Sequence, residues 1–336
     1  MPVPSSGPVA ISDLVDEFGG TAPHSMSEYY RNGVNVPSNN TNVPTSGAFG
    51  LSNARGAVNE IAIAATSGTN IDISSLFGGN WTSTIPKRLT IGSGVTIGGT
   101  GSSAAIIIPS NMAGTLEIDN AGTVIGFGGA SAGAAGGDAI NNAVSGVTIN
   151  NTGQISGGGG AGANGSVGGN GSTSTTVQGT ENRNDANHRV FYDNESGYSY
   201  RWGGQVVSFP TCSACYLAGS TFTNNGEYNS TITRHGPITT TTSTTGGAGG
   251  TFGVGAGYNQ SATSGTAGAA GGTNAGTGSS GTDGGALGTA ASDSAAGANG
   301  NVTSGAAGQS GGAAGAAVTG TSVTMNNTGT LHGAVA

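Results

Sequence analysis

Residues 147–157 read Val-Thr-Ile-Asn-Asn-Thr-Gly-Gln-Ile-Ser-Gly, and this stretch aligns with two others in the chain. Residues 116–126 read Leu-Glu-Ile-Asp-Asn-Ala-Gly-Thr-Val-Ile-Gly, and residues 323–333 read Val-Thr-Met-Asn-Asn-Thr-Gly-Thr-Leu-His-Gly. A shortened copy, Phe-Thr-Asn-Asn-Gly-Glu-Tyr, lies at 222–228. Each copy predicts a strand, an Asn/Gly turn with positive φ and a second strand. Self-similarity of this kind indicates a repeat architecture.

The stretch before these repeats, residues 58–125, is the richest in strand-forming residues. Short β-branched runs bounded by Gly, Ser, Asn or Pro occur at 61–65, 71–73, 89–91, 95–97 and 105–108. Such runs are typical of a small β-sandwich, a prism or a β-helix-like fold. We expect Phe77 and Trp81 to be the packing anchors. The predicted fold class is mainly β plus irregular structure, with little α-helix.

The composition argues against one conventional globular enzyme. Of 336 residues 68 are Gly, only 34% are hydrophobic and 7% are charged, against about 25% charged in typical domains. Large apolar side chains are too sparse for a large core, and charge and Pro are too sparse for ordinary disorder. We therefore predict that backbone hydrogen bonding, association of chains or both supply much of the stability.

Glycine is concentrated in tracts at 126–137, 157–171, 246–257 and 264–321. In the last tract it recurs every third residue in short runs: Gly278, Gly281 and Gly284, then Gly305, Gly308 and Gly311. A period of three is that of polyproline II, whereas collagen is disfavoured because the register slips and no Pro follows Pro237. The tracts predict a bundle of polyglycine II helices, with a flexible linker as the alternative.

The first 57 residues contain six of the ten prolines and a short recurring pattern. It reads Ile-Ser-Asp-Leu at 11–14, Met-Ser-Glu-Tyr at 26–29 and Leu-Ser-Asn-Ala at 51–54. Ser immediately before an acidic residue is a good N-cap, so the pattern predicts short helices at about 13–18 and 27–31.

Together with Pro-Thr-Ser-Gly-Ala-Phe-Gly-Leu-Ser-Asn-Ala-Arg-Gly at 44–56, these motifs resemble the Ile-Ser-Leu-Ser-Asp repeats of tail and minor structural proteins of tailed phages. The resemblance covers roughly residues 8–57 and implies a region that joins the protein to a neighbouring virion component. The candidate docking residues that it suggests are Ile11, Leu14, Met26, Tyr29, Tyr30 and Leu51.

Residues 181–236 interrupt the glycine-rich pattern with half of the basic residues, half of the aromatic residues and both cysteines. They predict an inserted β-subdomain or a large loop. Tyr, Trp and Arg are concentrated in binding hot spots, although the aromatic residues could instead form a small core of the insert itself. The candidate receptor-binding residues are Tyr192, Tyr198, Tyr200, Arg201 and Trp202.

Residues with chemical potential are few and scattered. Cys212 and Cys215 form a lone Cys-x-x-Cys, interpreted as a disulfide or thiol pair, with zinc (helped by His188 or His235) and redox catalysis as alternatives. Glycoside hydrolysis needs two carboxylates across a cleft, and only the weak set Asp185, Asp193 and Glu195 is available. The sequence therefore predicts no enzyme activity, no cofactor and no metal.

The Asn-Asn-x-Gly repeats and the glycine-rich tracts together resemble the tip adhesins of long tail fibres in T-even-type phages, over roughly residues 114–336. This implies a tail-fibre or tail-tip protein that attaches to a host surface glycan or outer-membrane protein, with other phage tail proteins as partners and a homotrimer as the expected assembly. The main alternative is a self-assembling extracellular filament or matrix protein without a receptor. An ice-binding protein and a β-helical polysaccharide lyase or hydrolase are less favoured.

The net charge of −8, with only 8 Lys and Arg, disfavours nucleic-acid binding. The start shows no signal peptide, and no stretch has the length of a membrane span, as expected of a virion protein made in the host cytoplasm. The expected domains are an attachment region at 1–57, a β-rich domain at 58–125, strand repeats with glycine-rich segments at 126–180, the insert at 181–236 and a polyglycine II region at 237–336.

Overall fold

A computed structural model of the chain describes residues 3–186, 189–193, 197–202, 205–208, 217–218 and 229–336. In this part of the chain the fold is mainly β with little helix, as predicted. Strands are numbered below in chain order.

The N-terminal region contains one α-helix, α1 (Ile11–Phe18), and 3₁₀ helices at Met26–Tyr29 and Leu51–Ala54. The predicted caps are wrong by two residues, since the helices begin after Ala10, Ser25 and Gly50. The third helical residue supplies the capping bond instead. Asp13 Oδ2 accepts from the Ala10 N–H at 2.8 Å, and Glu28 Oε1 accepts from the Ser25 N–H at 3.0 Å. The recurring Ser therefore lies inside each helix, and its acidic or amide neighbour satisfies the free N–H at the helix start.

The same region has its own hydrophobic core, called here the N-terminal cluster. Its buried members come from the helices and from the loops between them: Val3, Leu14, Phe18, Tyr29, Val36, Val43, Ala54 and Ala57. Burial, together with the neighbouring charge of Glu28, raises the pKa of Tyr29, whose hydroxyl donates to the Gly19 carbonyl at 2.8 Å. This cluster is separate from the core of the strand repeats.

Three parallel sheets form the centre of the molecule. The first contains β1 (Ile61–Ala64), β4 (Lys87–Ile91), β7 (Leu116–Asn120), β10 (Val147–Asn151) and β19 (Thr324–Asn327). The second contains β2 (Gly68–Thr69), β5 (Thr96–Gly98), β8 (Thr123–Ile125), β11 (Gln154–Ser156) and β20 (Thr330–His332). The third contains β3 (Ile71–Asp72), β6 (Ile106–Ile108), β9 (Ile140–Asn142) and β18 (Val318–Gly320).

The chain visits the three sheets in turn, so that each circuit stacks on the previous one in register. Leu116 pairs with Val147, and Thr148 pairs with Thr324, which places the three sequence repeats directly above one another. The predicted strand repeat is confirmed. Of the three alternatives that the sequence left open, parallel stacking corresponds to the β-helix-like one.

The core of this β-helix-like region lies between the three sheets. Alternate residues of each strand point inward and are fully buried, among them Leu89, Ile97, Ile106, Ile118, Ile140, Ile149 and Ile155. Each such side chain contributes about 1.5–3 kcal/mol. A short helix, α2 (Ile73–Phe77), and a 3₁₀ helix (Gly78–Thr82) add the predicted anchors Phe77 and Trp81, whose ring centroids lie 6.2 Å apart.

One buried position in β4 carries a charge. Lys87 stacks between Ile61 and Leu116 and is almost fully buried. Its Nζ donates at 2.7, 3.0 and 2.8 Å to the carbonyls of Ser83, Ile85 and Ala113. Burial lowers the pKa of Lys87, while the three carbonyls match the three donors of the ammonium group. Lys87 therefore ties the loops before β4 and β7 together.

The positive φ expected at the Asn/Gly turns is wrong, because none of Asn120, Gly122, Asn151 and Gly153 has it. The asparagines instead form a ladder between circuits. Asn120 Nδ2 donates to Asn151 Oδ1, and Asn151 Nδ2 to Asn327 Oδ1, both at 2.7 Å. Glycine is required because the turns stack closely: a Cβ on Gly153 would lie 2.1 Å from the Gly122 carbonyl oxygen.

Candidate functional site

The glycine-rich body, defined as residues 126–137, 157–170 and 246–316, is attached to the β-helix-like region. Its central segment, 157–170, follows directly after β11 and is mostly buried. Along this segment every third N–H donates to a neighbouring segment that runs the opposite way. Gly159, Gly162, Gly165 and Gly168 donate to the carbonyls of Ala256, Gly253, Gly250 and Gly247 at 2.7–2.9 Å. Backbone groups therefore hold the segments together laterally.

The glycines with a period of three take part in the same bonding. Gly278, Gly281 and Gly284 donate to the carbonyls of Ala269, Thr266 and Thr263 at 2.9–3.0 Å. Side chains would prevent this approach, because a Cβ on Gly162 would lie 1.9 Å from the Thr282 carbonyl oxygen. Thus the glycine period marks the positions where neighbouring backbones come closest.

Tyr258 connects the glycine-rich body to the β-helix-like region. Its N–H donates to the Gly126 carbonyl at 3.0 Å. Its ring lies against Gly98, where a Cβ would approach the ring atoms to 2.1–2.4 Å. The segment 246–258 ends at this contact. Its first residue, Gly246, therefore lies at the opposite end of the glycine-rich body.

An antiparallel ribbon leaves the body at that far end. It consists of β12 (Gly171–Ala186) and β17 (Asn229–Thr244), which pair along their whole length, and β16 (Leu217–Ala218) pairs with β17. Within the insert, β13 (Arg189–Asp193), β14 (Gly197–Trp202) and β15 (Gln205–Ser208) form a second antiparallel sheet. The ribbon therefore joins the insert to the end of the central segment.

The candidate receptor-binding residues all lie on β13 and β14. The backbone register pairs Tyr192 with Tyr198, Tyr200 with Val190 and Val207, and Arg201 with Arg189. Trp202 pairs with Gln205. Several other predicted features fall outside the described residues: Cys212, Cys215, His188, Glu195 and the shortened repeat at 222–228.

The candidate docking residues divide into buried and accessible ones. Leu14 and Tyr29 are fully buried in the N-terminal cluster, and Met26 and Leu51 pack against it. Ile11 is 37% exposed. Tyr30 is half-buried, with its ring centroid 5.7 Å from that of Phe49 and its hydroxyl donating to the Gly47 carbonyl.

One exposed residue of the N-terminal region was missed by the sequence reasoning. Val34 is 96% exposed at the tip of a turn that the Arg31–Val36 backbone bridge closes. Asn32 in this turn has a φ of 63°. The signal that could have found it is the Asn-Gly pair at 32–33, which favours a turn and hence an exposed position for the residue that follows.

Charge is concentrated on the outer face of the first sheet. Arg88 contacts Glu60 at 3.0 Å, Glu117 at 2.8 Å and Asp119 at 2.6 Å. Asn150 Nδ2 donates to the other oxygens of Glu117 and Asp119 at 2.5 and 2.7 Å. Burial of Asp119 is outweighed by the hydrogen bonds from Asn150 and Arg88, so the pKa of Asp119 is lowered. The pKa of Arg88 is raised, chiefly by its hydrogen bonds to Glu60 and Asp119.

This charge network links all five circuits of strands. Asn326 Nδ2 extends it by donating to Asn150 Oδ1 at 2.8 Å. In the described ranges no three His, Cys, Asp or Glu side chains are grouped as a metal site would require. No helix of the described part is long and apolar enough to cross a membrane. Because its contacts join side chains of different circuits, the network is a structural connection between strands.

The fold and its surfaces define a structural protein, in which stacked strands and a glycine-rich body carry an aromatic insert. A model of the family described as phage tail fibre adhesin Gp38 matches residues 59–253. The chain belongs to this family and acts in recognition of, and attachment to, the host cell. The family assignment confirms the predicted adhesive, non-enzymatic function over the filament alternative.

Among solved structures, the chain is similar to the crystal structure of the gp37–gp38 adhesin tip complex of the bacteriophage S16 long tail fiber. The two share 18% identity, with 99% of this chain and 100% of that chain covered and a TM-score of 0.36. Comparison with the curated proteins finds no match.

Proposed function

We propose that the chain forms the tip of a tail fibre and that its insert contacts a host surface glycan or outer-membrane protein. The observation that carries the proposal is the position of the ribbon. It leaves the glycine-rich body at Gly171 and returns at Thr244, at the end of the body away from Tyr258 and the strand repeats. An insert placed there extends beyond the rest of the molecule.

The register within the insert supports the choice of residues. Alternate positions along a strand share one face of a sheet, which groups the positions of Tyr198, Tyr200 and Trp202. Tyr192 is paired with Tyr198, which places it on the same face as these three positions. Arg201 is at a position of the opposite face. Aromatic residues grouped in this way provide a large contact area with little loss of conformational entropy on binding.

In this proposal the glycine-rich body is a bundle of polyglycine II helices that supports the insert. Support comes from the hydrogen bonds at every third residue and from the short distances that a Cβ would create. A flexible linker of the same composition would not bury its central segment between neighbouring backbones. A rigid support of this kind keeps the insert at a constant distance from the fibre.

At the other end, residues 1–57 dock the chain to another phage tail protein. Ile11 and Val34 offer exposed apolar contacts, Tyr30 is partly accessible, and Leu14 and Tyr29 support the surface from beneath. The homotrimer stays a prediction. One chain already encloses its core with three sheets, so closure of the strands does not require three copies.

Alanine at both Tyr200 and Trp202 should reduce adsorption to host cells. Hot-spot aromatics contribute about 2 kcal/mol each, so every substitution should lower the affinity roughly 30-fold. Adsorption of particles carrying the variant is measured together with competition by purified lipopolysaccharide and by outer-membrane protein vesicles, which identifies the receptor class.

The matched control is Thr241→Ala, an exposed position near the base of the ribbon. Thermal unfolding and hydrogen exchange of the insert separate lost contact from lost folding, because the aromatics could form the core of the insert. Normal adsorption by the folded double variant would refute the insert as the receptor-binding element.

Acidic substitutions at Ile11 and Val34 should prevent incorporation into the tail. A carboxylate buried in an apolar interface without a partner costs several kcal/mol, whereas the exposed site of the free protein tolerates it. The measurement is the amount of this chain in purified particles, by immunoblot and antibody labelling in electron microscopy. Val302→Asp, at a 57% exposed valine of the glycine-rich body, is the control. Wild-type incorporation of the Ile11 and Val34 variants would place docking elsewhere.

A further inference from the structure

The base of the ribbon is held by side chains from two distant turns of the glycine-rich body. Ser172, the second residue of β12, donates its N–H to Asn301 Oδ1 at 2.8 Å. Its carbonyl accepts from Asn301 Nδ2 and from Asn274 Nδ2, both at 3.0 Å. The two turns are themselves joined, because the Asn301 N–H donates to the Asn274 carbonyl at 3.0 Å.

The other strand of the ribbon is held in a similar way. Thr244 Oγ1 donates to the Thr273 carbonyl at 2.6 Å, and the Gly272 N–H donates to the Thr245 carbonyl at 3.1 Å. Asn170 is the last residue of the body before the ribbon, and Gly246 is the first residue of the body after Thr245. Asn170 Oδ1 accepts from the Gly246 N–H at 3.2 Å, and this hydrogen bond holds the two segments together. Both strands are thus attached to the turn at 272–275.

These contacts have a physical reason in the geometry of a two-stranded ribbon. At its base the ribbon consists of β12 and β17 alone, because β16 pairs with β17 only at Arg234 and Thr233; each strand therefore has a free edge there, where alternate N–H and C=O groups lack a partner strand. An asparagine amide offers one donor group and one acceptor, so Asn301 occupies the place of a third strand at Ser172. A ribbon of two strands is at best marginally stable in water by itself, and its direction is weakly determined without such contacts.

We propose that Asn274 and Asn301 are positioning residues, which set the direction in which the insert projects and thereby permit attachment. This inference rests on the proposed role of the insert. Sixteen residues at about 3.3 Å each make a ribbon of roughly 50 Å, so an angular error of about 20° at the base displaces its tip by roughly 17 Å. The asparagines act on the receptor only through the ribbon.

The test is adsorption by the double variant Asn274→Gly/Asn301→Ala, in which glycine removes the amide and accepts the φ of 59° at position 274 without strain. Loss of preorganisation should lower adsorption about tenfold, with the thermal unfolding of the body unchanged. Asn299→Ala is the matched control, because Asn299 lies at the same end and its Oδ1 accepts from the Gly305 N–H, within the body. Adsorption of the double variant at the wild-type level would overturn the proposal.

A cross-link distinguishes positioning from direct contact with the receptor. A Cβ on Gly272 would lie 2.8 Å from Thr244 Cβ, so the two backbones need to separate by about 1 Å to reach the Cβ separation of a disulfide. Thr244→Cys with Gly272→Cys, added to the double variant and oxidised, should restore adsorption, and reduction should abolish it again. A bond confirmed by mass spectrometry that restores nothing would assign the asparagines to receptor contact instead.

The two proposals can fail separately. Normal adsorption by the Tyr200 and Trp202 variants removes the role of the insert, on which the positioning depends. Lost adsorption by those variants, together with normal adsorption by the asparagine variants, removes only the positioning role.

Discussion

Gly162→Ala should unfold or expand the glycine-rich body, with a loss of about 3–5 kcal/mol. Its Cβ would lie 1.9 Å from the Thr282 carbonyl oxygen and 2.7 Å from the carbonyl carbon, so the two backbones must separate. Separation breaks the pair of bonds between Ala163 and Thr282, of 2.8 and 3.0 Å. Overpacking costs about 1–3 kcal/mol and each lost hydrogen bond about 1 kcal/mol more.

One effect opposes this loss and is smaller. Alanine reduces the conformational entropy of the unfolded chain, which favours folding by about 0.4–1 kcal/mol. Gly79→Ala isolates that term, because Gly79 has no atom within 4 Å of the added Cβ and no positive φ. Thermal unfolding and hydrogen exchange across residues 157–170 measure both variants. Exchange in Gly162→Ala as slow as in the wild type would show that backbone proximity does not hold the body together.

Arg88→Gln should lower the stability of the strand repeats by about 2 kcal/mol at neutral pH. Glu60, next to the first circuit, and Glu117 and Asp119, both on the third, would lose the cation that they share on the circuit between them. Partly exposed ion pairs contribute about 0.2–1 kcal/mol each, and the Arg88 side chain is 32% exposed, so the solvent-screened sum remains modest. Repulsion between the remaining carboxylates adds to the loss.

The pH dependence gives this prediction a second signature. In the wild type the folded-state pKa of Asp119 is depressed, so Asp119 contributes stability above its unfolded pKa that is lost as the pH falls through the folded value. In Arg88→Gln the clustered carboxylates repel one another without a cation between them, so acidification should relieve the repulsion and stabilise the variant relative to neutral pH. The difference between the two proteins should therefore shrink towards acidic pH.

Denaturant unfolding over a pH series measures both effects. Arg55→Gln is the control, since the Arg55 guanidinium donates to the Gly7 carbonyl at 2.9 Å in the exposed N-terminal region. A second variant, Arg88→Gln with Glu117→Gln, should recover part of the loss by removing one of the repelling charges. Equal pH profiles for Arg88→Gln and the wild type would show that the network is not a structural connection.

The sequence predicted the parts of the fold that depend on local patterning. Short β-branched runs became strands at nearly the expected positions, and the aligned Asn-Asn-x-Gly copies stacked in register. It did not predict the roles of residues at the turns. Asn120 and Gly122 looked like a turn that needs positive φ, but the contacts that decide their conformation come from the circuits above and below.

For the candidate sites, too, the sequence suggested some residues, whereas only the tertiary structure shows which of them are accessible and which hold the ribbon. A resemblance in the motifs suggested Leu14 and Tyr29 for docking, yet only packing reveals that they are buried while Val34 is exposed. Asn274 and Asn301 could not be chosen from the sequence, because many asparagines occur in the glycine-rich tracts. Their role depends on two turns meeting Ser172, which lies about 100 residues or more away along the chain.

By itself, the sequence determined the β-rich class, the repeat and the spacing of glycines at every third residue. These follow from local preferences and from periodicity, which each segment carries independently of its neighbours. Only the tertiary structure decided which backbones lie side by side, where the ribbon leaves the body and which polar side chains hold it. Those features arise from contacts between residues far apart in the chain, and no local pattern specifies the partner.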